Sequence, residues 1–208
     1  MIAKESIPYV LIFSALILVF YVLWPVLTVL PAILLVFILF FFRNPPRQVT
    51  PDDTHILSPA DGTVQYIEEI DEPGFIKGRA IKISIFLSIF NVHFNRSPVS
   101  GEITYTEYRP GKYLPAFKSH ASELNERNTL GIENSRLKVL VHQITGFVAR
   151  RIVFYNRKGD FLHQGQIFGL IKFGSCTEII VPAGVELRVQ TGQKVQAGIT
   201  VIGVLNND

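Results

Sequence analysis

The sequence predicts a mainly β domain, a small barrel or sandwich, preceded by an N-terminal transmembrane helical hairpin. Three features carry that expectation. No charged residue occurs from Ile7 to Phe42. Beyond Phe42 the chain breaks into short apolar runs separated by glycine and proline turns. Ile, Val and Phe dominate those runs, as they do in buried strands.

The apolar run is 36 residues long. As one helix it would extend about 54 Å, against a hydrocarbon core of about 30 Å. Pro25 lies near its middle after Trp24, and Pro31 follows. Proline lacks the backbone donor and favours a break, while tryptophan prefers the membrane interface. Lys4 precedes the run, and Arg43 and Arg47 follow it. Positive charge at both ends places both on the cytoplasmic side. The expected anchor is therefore a hairpin over residues 1–42, with residues 43–208 on the cytoplasmic face of the membrane. A single tilted helix kinked at Pro25 is the other reading. A cleaved signal peptide would have a shorter apolar region and a small-residue cleavage site.

After the stiff linker Arg43-Asn44-Pro45-Pro46-Arg47 comes HILSPADGTVQYIEEI, in which Val64, Tyr66 and Glu68 alternate after a turn. Two strand-like runs follow, joined by a turn at residues 97–101. Tyr113 to Asn128 is the least β-like stretch and reads as a loop with a short helix. Alternation returns at LKVLVHQITGFVARRIVFY. The tail carries short strands with glycine turns at 184, 192 and 198. SPADGTV and VPAGVEL are faintly alike, which suggests two related, lipoyl-like half-barrels.

Composition narrows the function. Hydrophobic residues make up 48% of 208, and the net charge is +3. That charge suits an anionic lipid surface, and no dense basic stripe with interleaved aromatics suggests nucleic acid. The single cysteine, Cys176, excludes an intramolecular disulfide and a cysteine-pair zinc site. It reads as a small buried side chain or, with less support, as a nucleophile.

Three motifs could carry chemistry: Ser58-Pro59-Ala60-Asp61-Gly62, Asn91-Val92-His93-Phe94-Asn95-Arg96, and Lys172-Phe173-Gly174-Ser175-Cys176. Each alone has a plain explanation as a turn, a strand end or a loop. Together they supply a carboxylate, an imidazole and a hydroxyl, the inventory of a Ser-His-Asp triad, whose order in sequence is free.

In this order and with these flanks, the motifs resemble the phosphatidylserine decarboxylase family in its short prokaryotic form. The likeness covers nearly the whole chain, including the FRNPPR linker, GKYLPAFKSHASELNERN and the terminal FGS. It implies a proenzyme that cuts itself between Gly174 and Ser175. Ser175 would attack the Gly174 carbonyl, His93 would take its proton and Asp61 would support the imidazole. Residue 175 would become a covalent pyruvoyl group, the cofactor, and chains 1–174 and 175–208 would stay together as a heterodimer. The substrate would be phosphatidylserine in the bilayer, which the resemblance implies is the inner membrane, and the product phosphatidylethanolamine. His93 would also return a proton to the substrate. No metal is implied. Arg43, Arg47 and the 112–127 segment read either as headgroup contacts or as a solvated basic face.

Other readings are a membrane-anchored, lipoyl-like adaptor without catalysis, and a metal-dependent hydrolase using His55, His93, His120, His142 or His163. The adaptor would carry a long helical hairpin between half-barrels, and none is visible. No HExxH pair supports the hydrolase. A serine lipid hydrolase would carry a G-x-S-x-G elbow, which is missing.

Overall fold

The computed structural model describes residues 1–112, 114, 124–146, 151–172 and 175–205. It divides into two compact units, Met1–Pro46 and Arg47–Asp208. In the first, α1 (Ile7–Leu23) and α2 (Val29–Phe41) pack on each other. A short 3-10 turn, Pro25–Thr28, joins them. Proline at the start of that turn needs no donor there, which is why the break falls at Pro25. The unit closes where it began: Ala3 N donates to Phe42 O at 2.9 Å, and Asn44 N to Met1 O at 2.7 Å. With its leading 3-10 turn, α1 spans Lys4–Leu23 and is long and apolar enough to cross a membrane. None of the residues of α1 is buried.

The second unit is mainly β. Its strands are β1 (His55–Leu57), β2 (Gly62–Glu72), β3 (Gly78–Leu87), β4 (Phe94–Arg96), β5 (Gly101–Arg109), β6 (Arg127–Glu133) and β7 (Lys138–Thr145). They continue as β8 (Arg151–Phe154), β9 (Phe161–Leu162), β10 (Ile167–Lys172), β11 (Ser175–Pro182), β12 (Val185–Leu187), β13 (Lys194–Val195) and β14 (Val201–Leu205). An eight-stranded antiparallel sheet, in the order β13-β2-β3-β11-β7-β6-β5-β9, curls as a half-barrel. Two smaller sheets, β1-β14-β12 and β4-β10-β8, complete the unit.

The core lies on one face of the large sheet. Ile83, Ile85, Val139, Val141, Ile179 and Val181 alternate into it and are essentially inaccessible. Alternation fails at one expected place. Val64 pairs with Ile85 and Tyr66 with Ser84, because β2 bulges between them. The extra residue shifts the phase, so Val64 enters the core and Tyr66 takes the opposite face. A period-2 reading of Val64, Tyr66 and Glu68 cannot see that shift.

Expected turns at 192 and 198 hold glycines with φ of +87° and +71°. Most of the least β-like stretch, and its expected helix, lies outside the described residues. Its ends are extended: Lys112 bridges Asn125, and Arg127 already begins β6.

Candidate active site

Asp61 sits in the SPADG segment between β1 and β2. Both its oxygens accept hydrogen bonds, one from Ala197 N at 2.8 Å and one from Arg47 Nη2 at 2.7 Å. Arg47 Nη1 also donates to Ala197 O at 2.6 Å, so the guanidinium bridges Asp61 and Ala197. The two side chains are 8% and 11% exposed. Arg47 is thus neither a headgroup contact nor part of a solvated basic face; it is a partner of Asp61. Gly62 is required by close approach, since a Cβ there would lie 2.2 Å from Phe86 O.

His93 is buried and immediately precedes β4. Its Nδ1 lies 3.0 Å from Asn91 O. A carbonyl only accepts, so Nδ1 carries the proton, and in the neutral ring Nε2 holds the lone pair. That is the tautomer a general base needs. A backbone carbonyl orients the ring through Nδ1, while the carboxylate of Asp61 is engaged by Arg47 and Ala197.

Ser175 opens β11, the strand between β3 and β7, with Leu87 on one side and Thr145 on the other. Gly174 lies outside the described residues.

The first two motifs and the strand that begins at Ser175 meet at Pro59 and Asn95. Pro59 O accepts from Arg96 N at 3.0 Å and from Asn95 Nδ2 at 3.3 Å. Asn95 Nδ2 also donates to Thr177 Oγ1 at 3.0 Å. Ile171 N donates to His93 O at 3.2 Å, tying the histidine strand to the segment that leads into residues 172–176.

Residues 34–203 match the family model for phosphatidylserine decarboxylase. The chain belongs to the phosphatidylserine decarboxylase family. The protein named phosphatidylserine decarboxylase proenzyme in Carboxydothermus hydrogenoformans is 60% identical over 172 residues, 82% of this chain and 81% of that one. Its namesake in Symbiobacterium thermophilum is 48% identical over 206 residues, 98% and 95% of the two chains. The Geotalea uraniireducens protein of that name is 44% identical over 206 residues, 98% and 96%. Membership agrees with the resemblance read from the motifs and sets the adaptor reading aside.

Two other candidates, Cys176 and His142, are accounted for by packing. Cys176 lies 3.0 Å from Ser84 Oγ, and burial, then Glu178, push its thiol up to about 12. It stays protonated at neutral pH and is no nucleophile. His142 is held down to about 3, first by burial and then by Arg127, so it is neutral, with Nδ1 on Thr129 Oγ1 at 2.9 Å. Among the described residues, no three His, Cys, Asp or Glu side chains gather to hold a metal ion.

Sequence reasoning missed a buried polar ladder. Asn128 Nδ2 donates to Gln143 Oε1 at 2.9 Å, and Gln143 Nε2 donates to Asn95 Oδ1 at 2.9 Å. Thr177 ends the ladder. Gln143, Asn95 and Thr177 are wholly inaccessible. Their signal was present: Gln143 continues the core phase of Val139 and Val141, and Thr177 that of Ile179 and Val181. A polar residue in core phase needs a partner and marks a place to look.

Proposed function

We propose that this chain is a membrane-associated proenzyme that cuts itself between Gly174 and Ser175 and then decarboxylates phosphatidylserine to phosphatidylethanolamine. The observation that carries the reading is the convergence of the Asp61, His93 and Ser175 segments, from three distant parts of the chain, on Pro59 and Asn95.

Ser175 Oγ attacks the Gly174 carbonyl carbon, and the peptide becomes an ester with a free amine on residue 175. His93 Nε2 accepts the hydroxyl proton. Asn91 O, bonded to His93 Nδ1, orients the ring and supports the resulting imidazolium, while Asp61, through its bonds to Arg47 and Ala197, holds the SPADG segment in place. Loss of the Ser175 α-proton then expels the Gly174 carboxylate and leaves a double bond in residue 175. One water enters, ammonia leaves, and the residue ends as a pyruvoyl group.

The position fits such a group. A new N-terminus at 175 begins a strand bonded on both sides, and β11, β13 and β14 pair with β3, β7, β2 and β1 of the other fragment. Those ladders support the 1–174 and 175–208 pair as a lasting heterodimer. Once formed, the pyruvoyl ketone supplies the electron sink that losing carbon dioxide from an α-amino acid demands. His93, the imidazole of the site, supplies the proton that replaces the carboxylate.

A bilayer substrate gives the first unit its role. Its ends are joined by backbone bonds, and the apolar side chains of α1 face outward, which supports a hairpin entering and leaving by one face. The flanking Lys4 and Arg43 favour the cytoplasmic face of the inner membrane for it. Residues 1–42 then form the anchor and residues 43–208 the catalytic part. Lys4→Cys and Gln48→Cys are both expected to label only after the membrane is opened. The native Cys176 is buried and does not interfere. Labelling of position 4 from outside sealed cells would replace the hairpin by a single crossing.

Self-cleavage is tested by the mass of the purified protein. Fragments of 174 and 34 residues are expected, the shorter one blocked to stepwise N-terminal degradation and reactive toward a hydrazine. An intact chain that releases carbon dioxide from phosphatidylserine vesicles would overturn the mechanism.

A further inference from the structure

We propose that Asn95 is the positioning residue that sets His93 and position 175 against each other for self-cleavage. The proposal rests on the self-cleavage reading above and names the part of the fold that makes it productive.

Register carries the argument. In β4 and β10, Asn95 pairs with Gly169 and Phe94 with Leu170, which brings His93 beside Ile171. The bond from Ile171 N to His93 O bears this out. Only two residues separate Lys172 from Ser175, so β11 starts near the place where β10 ends. From Asn95 to His93 the chain moves two residues toward that place. From Thr177 to Ser175 it also moves two residues toward it. Each step is one strand repeat, about 6.6 Å. The Asn95–Thr177 bond therefore lies one repeat behind both the base and the residue to be cut, and it governs how they meet.

The amide is built into its place from every side. Nδ2 uses both of its protons, on Thr177 Oγ1 and Pro59 O, while Oδ1 accepts from Gln143. Gly169 lets β10 close over this contact, since a Cβ there would lie 2.8 Å from Gln143 Nε2. One side chain thus joins the Asp61 segment, the His93 strand and the Ser175 strand. Apolar side chains of the same size could fill this part of an Ile- and Val-rich core without needing partners. A polar core network can also serve the fold alone, and the test must separate the two roles.

The rate of self-cleavage is followed after cell-free synthesis of the full chain, counted per folded molecule by resistance to brief proteolysis. Thr177→Val keeps the shape and removes the acceptor. It is expected to cut about 10- to 100-fold more slowly, as displacements near 1 Å do in reacting pairs. Thr177→Ser keeps the hydroxyl and should cut within about threefold of wild type, a rescue that packing alone would not give. Asn95→Ala combined with Thr177→Val should be no slower than Asn95→Ala alone, because Asn95→Ala already deletes the tether that Thr177→Val removes. If Thr177→Val does not fold, Asn95→Ala compared with Thr177→Ser carries the same test. A wild-type rate in Thr177→Val, or equal slowing in the Ser and Val variants, overturns the proposal and leaves self-cleavage standing. A wild-type chain that stays whole overturns both.

Discussion

Ser175→Ala is expected to accumulate as a single 208-residue chain with no phosphatidylserine decarboxylase activity. The effect should be total rather than graded. Alanine offers no oxygen to attack the Gly174 carbonyl, so no ester forms, and without the ester no ketone appears at 175. An active site lacking its electron sink keeps none of the catalytic path, however well it binds substrate. The fold should survive, because backbone ladders to Leu87 and Thr145 hold position 175. Stability should change by less than about 1 kcal/mol, the span of strand propensities. Denaturing electrophoresis and carbon dioxide release from labelled substrate read both outcomes. Activity in this variant, cut or uncut, would remove Ser175 from the mechanism.

His93→Ala is expected to slow self-cleavage by about 10²–10⁴, the usual worth of a general base, and to accumulate proenzyme over hours. Asp61→Ala should also slow it, by a partly different route. It leaves the Arg47 guanidinium buried without its carboxylate, and breaking such a pair costs about 3–5 kcal/mol. Much of the loss in that variant should therefore appear as a lower denaturation midpoint, which His93→Ala should not share to the same degree. After cleavage the two diverge further. Turnover per pyruvoyl group, titrated with a carbonyl reagent, should fall in the His93 variant and stay near wild type in the Asp61 variant. If both variants cut at the wild-type rate, the assignments fail and the base must be sought among His55, His142 and His163. Of these His142 would be the hardest to enlist, being neutral, buried and bonded to Thr129.

Much of the fold was legible because its signals are local. A charge-free run with Pro25 inside it marks two helices, and glycines 192 and 198 mark turns that need positive φ. The bulge between Val64 and Tyr66 was not legible. Phase along a strand depends on how many residues the neighbouring strand opposes to it, and the neighbour is distant in sequence.

The candidate site divides the same way. Sequence by itself determined the chemical inventory, Asp61, His93 and Ser175 in their motifs, and with it the family, since side-chain chemistry is a property of each residue. Only the tertiary structure decided the partners. Arg47 reads in sequence as a charge flanking a membrane run, yet it is buried against Asp61. Asn95 reads as a neighbour of His93, yet its amide joins Pro59, Thr177 and Gln143. The physical reason is that a buried polar group must be satisfied by whatever the fold brings within about 3 Å. Residues 14, 36, 48 and 82 positions apart become neighbours only when the chain folds.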